Sequence, residues 1–122
     1  MKKRVVIAGS RNYTDYNNAK FFIDKILAPL KSSHDIIILS GCCRGADKIG
    51  EQYAAENGYI VEKYPADWAR YKRGAGLMRN REMIDKCDIV ICFWDGKSSG
   101  TKYLIDYAKA KERTIAIETI NC

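Results

Sequence analysis

Asp88-Ile89-Val90-Ile91-Cys92-Phe93-Trp94, followed by Asp95-Gly96-Lys97-Ser98-Ser99-Gly100-Thr101, is the stretch that decides the fold. Its first half is an unbroken apolar run with no polar alternation. That pattern belongs to a strand covered on both faces, in the interior of a parallel sheet. The run breaks at Asp95-Gly96, a turn signal, and a helix is expected from about Gly100 to Lys111 before a further strand over Thr114–Glu118. Strand, helix, strand at this spacing is a parallel crossover unit.

The remainder of the chain repeats the alternation. Arg4–Ala8 is a short β-branched run that ends at Gly9, and Asp35–Ser40 is a second buried strand stopped by Gly41. Between them, Tyr16–Lys31 carries Ala19, Phe22, Ile23, Ile26, Leu27 and Leu30 at spacings of three and four, one face of a helix. A second helix is expected over Asp47–Asn57, closed at Asn57-Gly58 by a left-handed cap. Tyr59–Tyr64 is a weaker strand ended by Pro65. Ala66–Gly76 reads as the longest irregular stretch, with Gly74-Ala75-Gly76 a hinge or close-packing loop, and Met78–Lys86 as a helix with Met83 and Ile84 inward. The class is α/β: a Rossmann-like, three-layer fold with a central parallel sheet of about five strands and helices on both faces. Neither an internal repeat nor a domain boundary is visible, so residues 1–122 are expected to form a single domain.

Composition narrows the function classes. The longest apolar run, Ile89–Trp94, has six residues, against the ~20 needed to cross a bilayer. Met1-Lys2-Lys3-Arg4 before Val5-Val6-Ile7-Ala8 mimics an export signal, but its apolar part is too short, and the expected location is the cytoplasm with no membrane partner. The five cysteines, Cys42, Cys43, Cys87, Cys92 and Cys122, show no C-x-x-C spacing, and His34 is the one histidine. Reduced thiols are expected, without disulfides or a metal site. The net charge of +6 is spread along the chain, with clusters at Lys2-Lys3-Arg4 and Arg70-Tyr71-Lys72-Arg73. Such a distribution suits a small polyanion as well as it suits a nucleic acid.

In an open parallel sheet, ligands sit beyond the carboxyl ends of the strands, where strand order reverses. Three loops there are unusual: Gly9-Ser10-Arg11-Asn12-Tyr13-Thr14-Asp15, Ser40-Gly41-Cys42-Cys43-Arg44-Gly45-Ala46-Asp47, and Asp95 to Thr101. Each has glycine where backbone must bend or approach a ligand closely, and they supply arginines and hydroxyls. Ser99-Gly100-Thr101 at a helix amino end is a natural phosphate cradle, although Thr101 and Asp47 also suit plain helix capping. No G-x-G-x-x-G run and no G-x-x-x-x-G-K-[ST] run is present, which disfavours a nicotinamide dehydrogenase or a P-loop ATPase. Trp68 is placed either to stack on a base or to cap the core. Arg79-Asn80, near a helix start, is suited to a ligand or to pinning a loop.

Taken in order, Gly9-Ser10-Arg11, Ser40-Gly41-x-x-Arg44-Gly45-Ala46-Asp47, Pro65-Ala66-Asp67-Trp68, Gly74-x-Gly76-x-x-Arg79-Asn80-x-x-Met83 and Phe93-Trp94-Asp95-Gly96-x-Ser98-x-Gly100-Thr101 resemble the YspA/YpsA-related branch of the SLOG superfamily, from about Val5 to Ala108. The resemblance implies a Rossmann-like fold shared with LOG phosphoribohydrolases and DNA-processing protein A. It also implies a nucleotide-derived ligand such as ADP-ribose or an NAD-related molecule, in proteins of bacteria and phages. By that likeness Gly9, Ser10 and Arg11 would line the site. Gly41, Arg44, Gly45 and Asp47 would form a second wall, and Gly96, Ser98, Gly100 and Thr101 would hold phosphate, with Trp68, Arg79 and Asn80 completing the set. Two departures stand out. Leu104 occupies the place of the LOG glutamate, which leaves Asp47, Asp67, Asp95 or Asp106 as a substitute acid, and Cys42 stands where a second glycine is common.

The expected function is therefore binding of a phosphate-bearing nucleotide-like ligand, with no cofactor required. The alternatives are N-glycosidic hydrolysis, with Arg79 and Asp47 as the catalytic pair, and DNA binding. Nucleic acid is not the expected partner, and pairing into a homo-oligomer is compatible with the sequence.

Overall fold

The computed structural model describes residues 1–121, so the expectation for Cys122 lies outside the described residues. Five strands form one sheet: β1 (Lys2–Gly9), β2 (Asp35–Ser40), β3 (Ile60–Lys63), β4 (Ile89–Trp94) and β5 (Thr114–Thr119). Their order is β3-β2-β1-β4-β5, and every neighbouring pair is parallel. The chain steps outward from β1 to β3, then crosses back to place β4 beside β1. Strand order reverses between β1 and β4, and the crevice that a parallel sheet leaves at such a point opens there.

Among the described residues are five helices, α1 (Tyr16–Leu27), α2 (Ala46–Asn57), α3 (Trp68–Tyr71), α4 (Ala75–Lys86) and α5 (Ser99–Ala110); α1, α2, α4 and α5 cover the sheet, and the single turn of α3 packs against α4. Alternate residues of each central strand point to opposite faces. Val5 and Ile7 therefore pack with Ile23, Leu27 and Tyr53 of α1 and α2, while Val6 and Ala8 pack with Met83, Ile84 and Leu104 of α4 and α5. Both faces are apolar, which is why the central strands read as continuous runs. Val5, Val6, Ile7, Val90, Ile91, Cys92 and Phe93 are fully buried. The edge strands β3 and β5 are mostly half-exposed, and their sequence signal is correspondingly weaker.

Two expectations require correction. The first helix stops at Leu27 and is followed by a 3-10 turn over Ala28–Leu30, because Pro29 has no N–H to extend the α-helical ladder. The stretch expected to be irregular is mostly helical. It holds α3, a 3-10 turn over Lys72–Gly74, and the start of α4 three residues before Met78. Asp67 sets α3 by accepting a hydrogen bond from the Arg70 amide at 3.1 Å, a side-chain cap. Gly74-Ala75-Gly76 is not a loop but the end of the 3-10 turn and the start of α4, where Ala75 is buried and a Cβ at Gly74 would meet nothing.

Candidate functional site

A cleft of about 440 Å³ lies over the carboxyl ends of β1 and β4. Its walls come from three loops and one helix: Gly9, Ser10, Arg11 and Asn12 after β1; Cys43, Arg44 and Asp47 after β2; Arg79, Asn80 and Met83 on α4; and Asp95, Ser98, Ser99, Gly100, Thr101 and Leu104 after β4.

Glycines bring these loops together. The Ser10 amide donates to the Phe93 carbonyl at 2.9 Å, carrying the β1 loop across β4. A Cβ on Gly9 would lie 2.1 Å from that same oxygen, so no side chain fits there. Gly45 has φ of +76° and sits against the neighbouring loop, where a Cβ would be 2.4 Å from the Ser10 carbonyl oxygen and 2.5 Å from that of Arg11. The Ala46 amide then donates to the Ser10 carbonyl at 3.2 Å. The result is one wall that carries both Arg11 and Arg44.

Behind that wall Arg79 is nearly buried, at 9% exposure. Its Nε donates to Asn80 Oδ1 at 2.9 Å, its Nη1 donates to the Gly41 carbonyl, and its two Nη atoms lie 3.8 and 3.9 Å from Cys43 Sγ. The guanidinium thus pins the β2 loop and also faces the cleft. Asp47 is buried alongside, and its Oδ2 accepts the Cys43 amide at 3.1 Å. Burial raises the Asp47 carboxyl above the usual carboxylate range, and the Cys43 amide and the charge of Arg79 only partly offset it. Gly41 leaves room for both side chains, since a Cβ there would be 2.7 Å from Arg79 Nη1 and 2.9 Å from Asp47 Oδ2.

The fourth wall is the amino end of α5. Ser98 stands at its cap position, but no side chain caps the first-turn amides. The loop before it is folded by Asp95, whose Oδ1 accepts the Lys97 and Ser98 amides, each at 2.8 Å. These amides hold the Asp95 carboxyl below its ordinary range. Trp94 Nε1 donates to the Ser98 carbonyl at 3.1 Å, and Thr101 Oγ1 donates to Ser98 Oγ at 3.2 Å. First-turn amides and the helix dipole favour an anion at this position.

Of the residues singled out in the sequence, Gly9, Ser10, Arg11, Arg44, Asp47, Arg79, Asn80, Ser98, Gly100 and Thr101 line the cleft. Gly41 and Gly45 stand behind it as spacers. Gly96 is an exposed turn residue with φ of +80°, and Trp68 lies outside the cleft on α3, 57% exposed. Among the candidate acids, Asp67 is occupied in capping α3, Asp106 is exposed and paired with Lys102 at 2.7 Å, and Asp95 is committed to its loop. Only Asp47 of the four combines burial, a raised pKa and a place in the cleft.

Ser99, expected as part of the phosphate cradle, also lines the cleft, whereas sequence reasoning left Asn12, Cys43, Met83 and Leu104 out of the site. Asn12 and Cys43 lie inside the loops already singled out. Met83 and Leu104 lie four and three residues beyond Arg79 and Thr101, the helical spacing that shares a face. Leu104, standing where the resemblance places a glutamate, does face the cleft, and it is buried to 2% exposure. Among the described residues no cluster of histidine, cysteine and carboxylate is placed to hold a metal ion, and no helix is long and apolar enough to cross a membrane.

A model of the YspA, cpYpsA-related SLOG family matches residues 3–71. The Gene 61 protein of Mycobacterium phage D29 is 32% identical over 114 residues, covering 88% of this chain and 89% of the phage protein. DNA processing protein A from Streptococcus pneumoniae superposes with a TM-score of 0.72 at 18% identity over 96% of this chain, which spans 50% of that protein. Its counterpart from Helicobacter pylori, described for its single-stranded DNA binding mode, gives 0.68 at 22% identity, covering 98% of this chain and 66% of that one. TM1055 gives 0.65 at 19% identity, covering 94% and 72%. At these identities the three solved structures bear on the fold alone.

Proposed function

Because the chain belongs to the YspA, cpYpsA-related SLOG family, we propose that its cleft binds a phosphate-bearing nucleotide or an ADP-ribose- or NAD-derived molecule, and that its task is binding rather than bond cleavage. The observation that carries this reading is the convergence of Arg11, Arg44 and Arg79 with the uncapped amino end of α5 in one cleft at the β1/β4 switch. Three guanidiniums face two carboxylates there. One carboxylate is held in its loop by two amides, and the other is raised by burial. Planar donor forks beside helix amides match a phosphate, and the Ser98 and Thr101 hydroxyls add acceptor and donor groups for its oxygens.

The argument against catalysis is chemical. Cleaving an N-glycosidic bond builds positive charge on the sugar, which a carboxylate must stabilise. Leu104 cannot do that. A hydrolase reading is kept alive by Asp47 alone, a buried carboxyl of raised pKa beside Arg79. Incubation with nucleoside monophosphates and NAD separates the two, because release of free base that is lost in Asp47→Asn would establish turnover.

The binding reading is tested by thermal shift against a panel of nucleoside phosphates, ADP-ribose and NAD. A ligand at a hundred times its dissociation constant should add about 2.7 kcal/mol of stability. Arg44→Ala, an exposed cleft-wall change, should abolish the shift without lowering the melting point of the free protein. No shift with any member of the panel would refute the reading.

A further inference from the structure

Cys43 is a nucleophile in the cleft wall for which phosphate binding has no use. Four thiols lie among the described residues, and the structure sorts them. Cys87 and Cys92 are buried in the packing between the sheet and α4 and α5. Cys42 and Cys43 are half-exposed neighbours in the loop after β2, but only Cys43 lines the cleft, while Cys42 Sγ lies 3.8 Å from the Ser40 carbonyl. Cys43 is held at two points. Its amide donates to Asp47 Oδ2 at 3.1 Å, and its Sγ lies 3.8 and 3.9 Å from the two Nη atoms of Arg79. Arg79 is nearly buried and is fixed by Asn80 and the Gly41 carbonyl, so the sulfur stands against a guanidinium of set position.

The charge around this sulfur decides what reaches it. Arg44 follows it directly in the chain, and Arg11 and Arg79 complete the three guanidiniums of the cleft, beside the uncapped first-turn amides of α5. Against them stand Asp47, which accepts the Cys43 amide, and Asp95, which is held by its own loop. A cleft with an excess of one sign of charge concentrates ions of the other. A reagent that brings carboxylates to a thiol is therefore drawn to Cys43 in preference to Cys42. Oxidised glutathione has that chemistry: two tripeptides, each with two carboxylates, joined by a sulfur–sulfur bond open to attack by a thiolate. A cleft of about 440 Å³ is of the size that takes a small organic ligand.

We propose that Cys43 is a modification site for anionic low-molecular-weight disulfides of the glutathione class, and that the mixed disulfide formed there closes the cleft to its phosphate-bearing ligand. In the exchange the Cys43 thiolate attacks one sulfur of the disulfide. A new sulfur–sulfur bond forms to Cys43, the old one breaks, and the second half leaves as a thiolate that takes up the proton Cys43 gave. Cys43 is oxidised and the departing sulfur reduced, so no further oxidant enters. The attached tripeptide occupies the cleft in front of Arg44 and Arg79, and a reducing thiol releases it by the reverse exchange. The closing of the cleft rests on the function proposed above; the modification itself does not.

The experiment treats the full chain at neutral pH with oxidised glutathione and, separately, with the uncharged disulfide of 2-mercaptoethanol, following each cysteine by peptide mass mapping. Oxidised glutathione should modify Cys43 ahead of Cys42, and added salt should slow it. Arg44→Ala should slow the reaction of Cys43 with oxidised glutathione by about two- to tenfold, one guanidinium's share of the ~10–1,000-fold that a charged cleft gives, and leave the reaction with the uncharged disulfide unchanged. Protein modified at Cys43 should lose the thermal shift with mononucleotides, and dithiothreitol should restore it. In Cys43→Ser the shift should be the same before and after treatment. Modification of Cys42 ahead of Cys43 by oxidised glutathione, an equal rate in Arg44→Ala, or a full mononucleotide shift in protein mapped as modified at Cys43 overturns the proposal. Selective, Arg44-dependent modification of Cys43 in a protein that shows no mononucleotide shift would sustain the modification site and refute the cleft reading.

Discussion

Replacing Gly45 with alanine tests the central geometric claim, that the β1 and β2 loops touch backbone to backbone. The new Cβ would stand 2.4 and 2.5 Å from the carbonyl oxygens of Ser10 and Arg11, distances real Cβ atoms do not show. Neither oxygen is on a flexible side chain, so relief requires the loops to part. A non-glycine residue at φ of +76° adds a strain of about 1–3 kcal/mol. Parting the loops loses the Ala46-to-Ser10 hydrogen bond, about 1 kcal/mol, and overpacking adds about 1–3 kcal/mol. Against this, alanine lowers the entropy of the unfolded chain by about 0.4–1 kcal/mol. The net loss is about 2–6.5 kcal/mol, or roughly 8–26 °C in melting temperature at about 4 °C per kcal/mol for a domain of this size. The matching change in the opposite direction is Cys42→Gly. Cys42 has φ of +67°, and relieving that conformation is worth about 1–2 kcal/mol less about 0.5–1 kcal/mol of added chain entropy. The product should be more stable than the parent by up to about 1.5 kcal/mol. Urea unfolding followed by circular dichroism measures both. Gly45→Ala within 1 kcal/mol of the parent, or Cys42→Gly less stable than it, would refute the loop geometry on which the Arg11–Arg44 wall depends.

Two further expectations follow from titratable groups. Because burial raises the Asp47 carboxyl, the folded state holds its proton to higher pH than the unfolded chain, and stability falls as pH rises through that window. Asp47→Asn keeps an acceptor for the Cys43 amide without the charge. It should match the parent at acid pH and melt higher above the raised pKa, and a difference independent of pH would refute the assignment. Burial pushes the thiols of Cys87 and Cys92 up to about 11 and about 12, whereas Cys42 and Cys43 are half-exposed. Iodoacetamide at neutral pH should modify Cys42 and Cys43 in the native protein and spare Cys87 and Cys92 until unfolding, with bound nucleotide protecting Cys43. Peptide mass mapping reads this out, and native labelling of Cys92 would contradict the core packing.

The central sheet was legible because β1, β2 and β4 are buried on both faces and their apolar runs admit few alternatives. The α3 region was not, since one helical turn has too few residues to show a period, and the cap at Asp67 that creates it is indistinguishable in sequence from a loop aspartate. The site was legible to the extent that backbone chemistry wrote it. Gly9 and Gly45 mark close approaches that only glycine allows, whereas Gly96 marks a turn and nothing more, and no local pattern separates those cases. What decides between them is the neighbouring loop, which is distant in the chain.

The same limit explains Cys42. By the resemblance drawn from the sequence a second glycine would be expected there, and the residue sits in the left-handed region that glycine favours. A side chain kept at such a position carries a strain of about 1–2 kcal/mol. The thiol is near enough to the Ser40 carbonyl, at 3.8 Å, to return only a weak contact. Its backbone amide, bonded to Ser40 Oγ at 3.1 Å, would serve equally in glycine. The strain at Cys42 is therefore not offset by any interaction its side chain makes within the fold. It is borne by the loop that carries Cys43 and Arg44 into the cleft, and the stability gained by Cys42→Gly, with the added chain entropy of glycine restored to it, measures the strain.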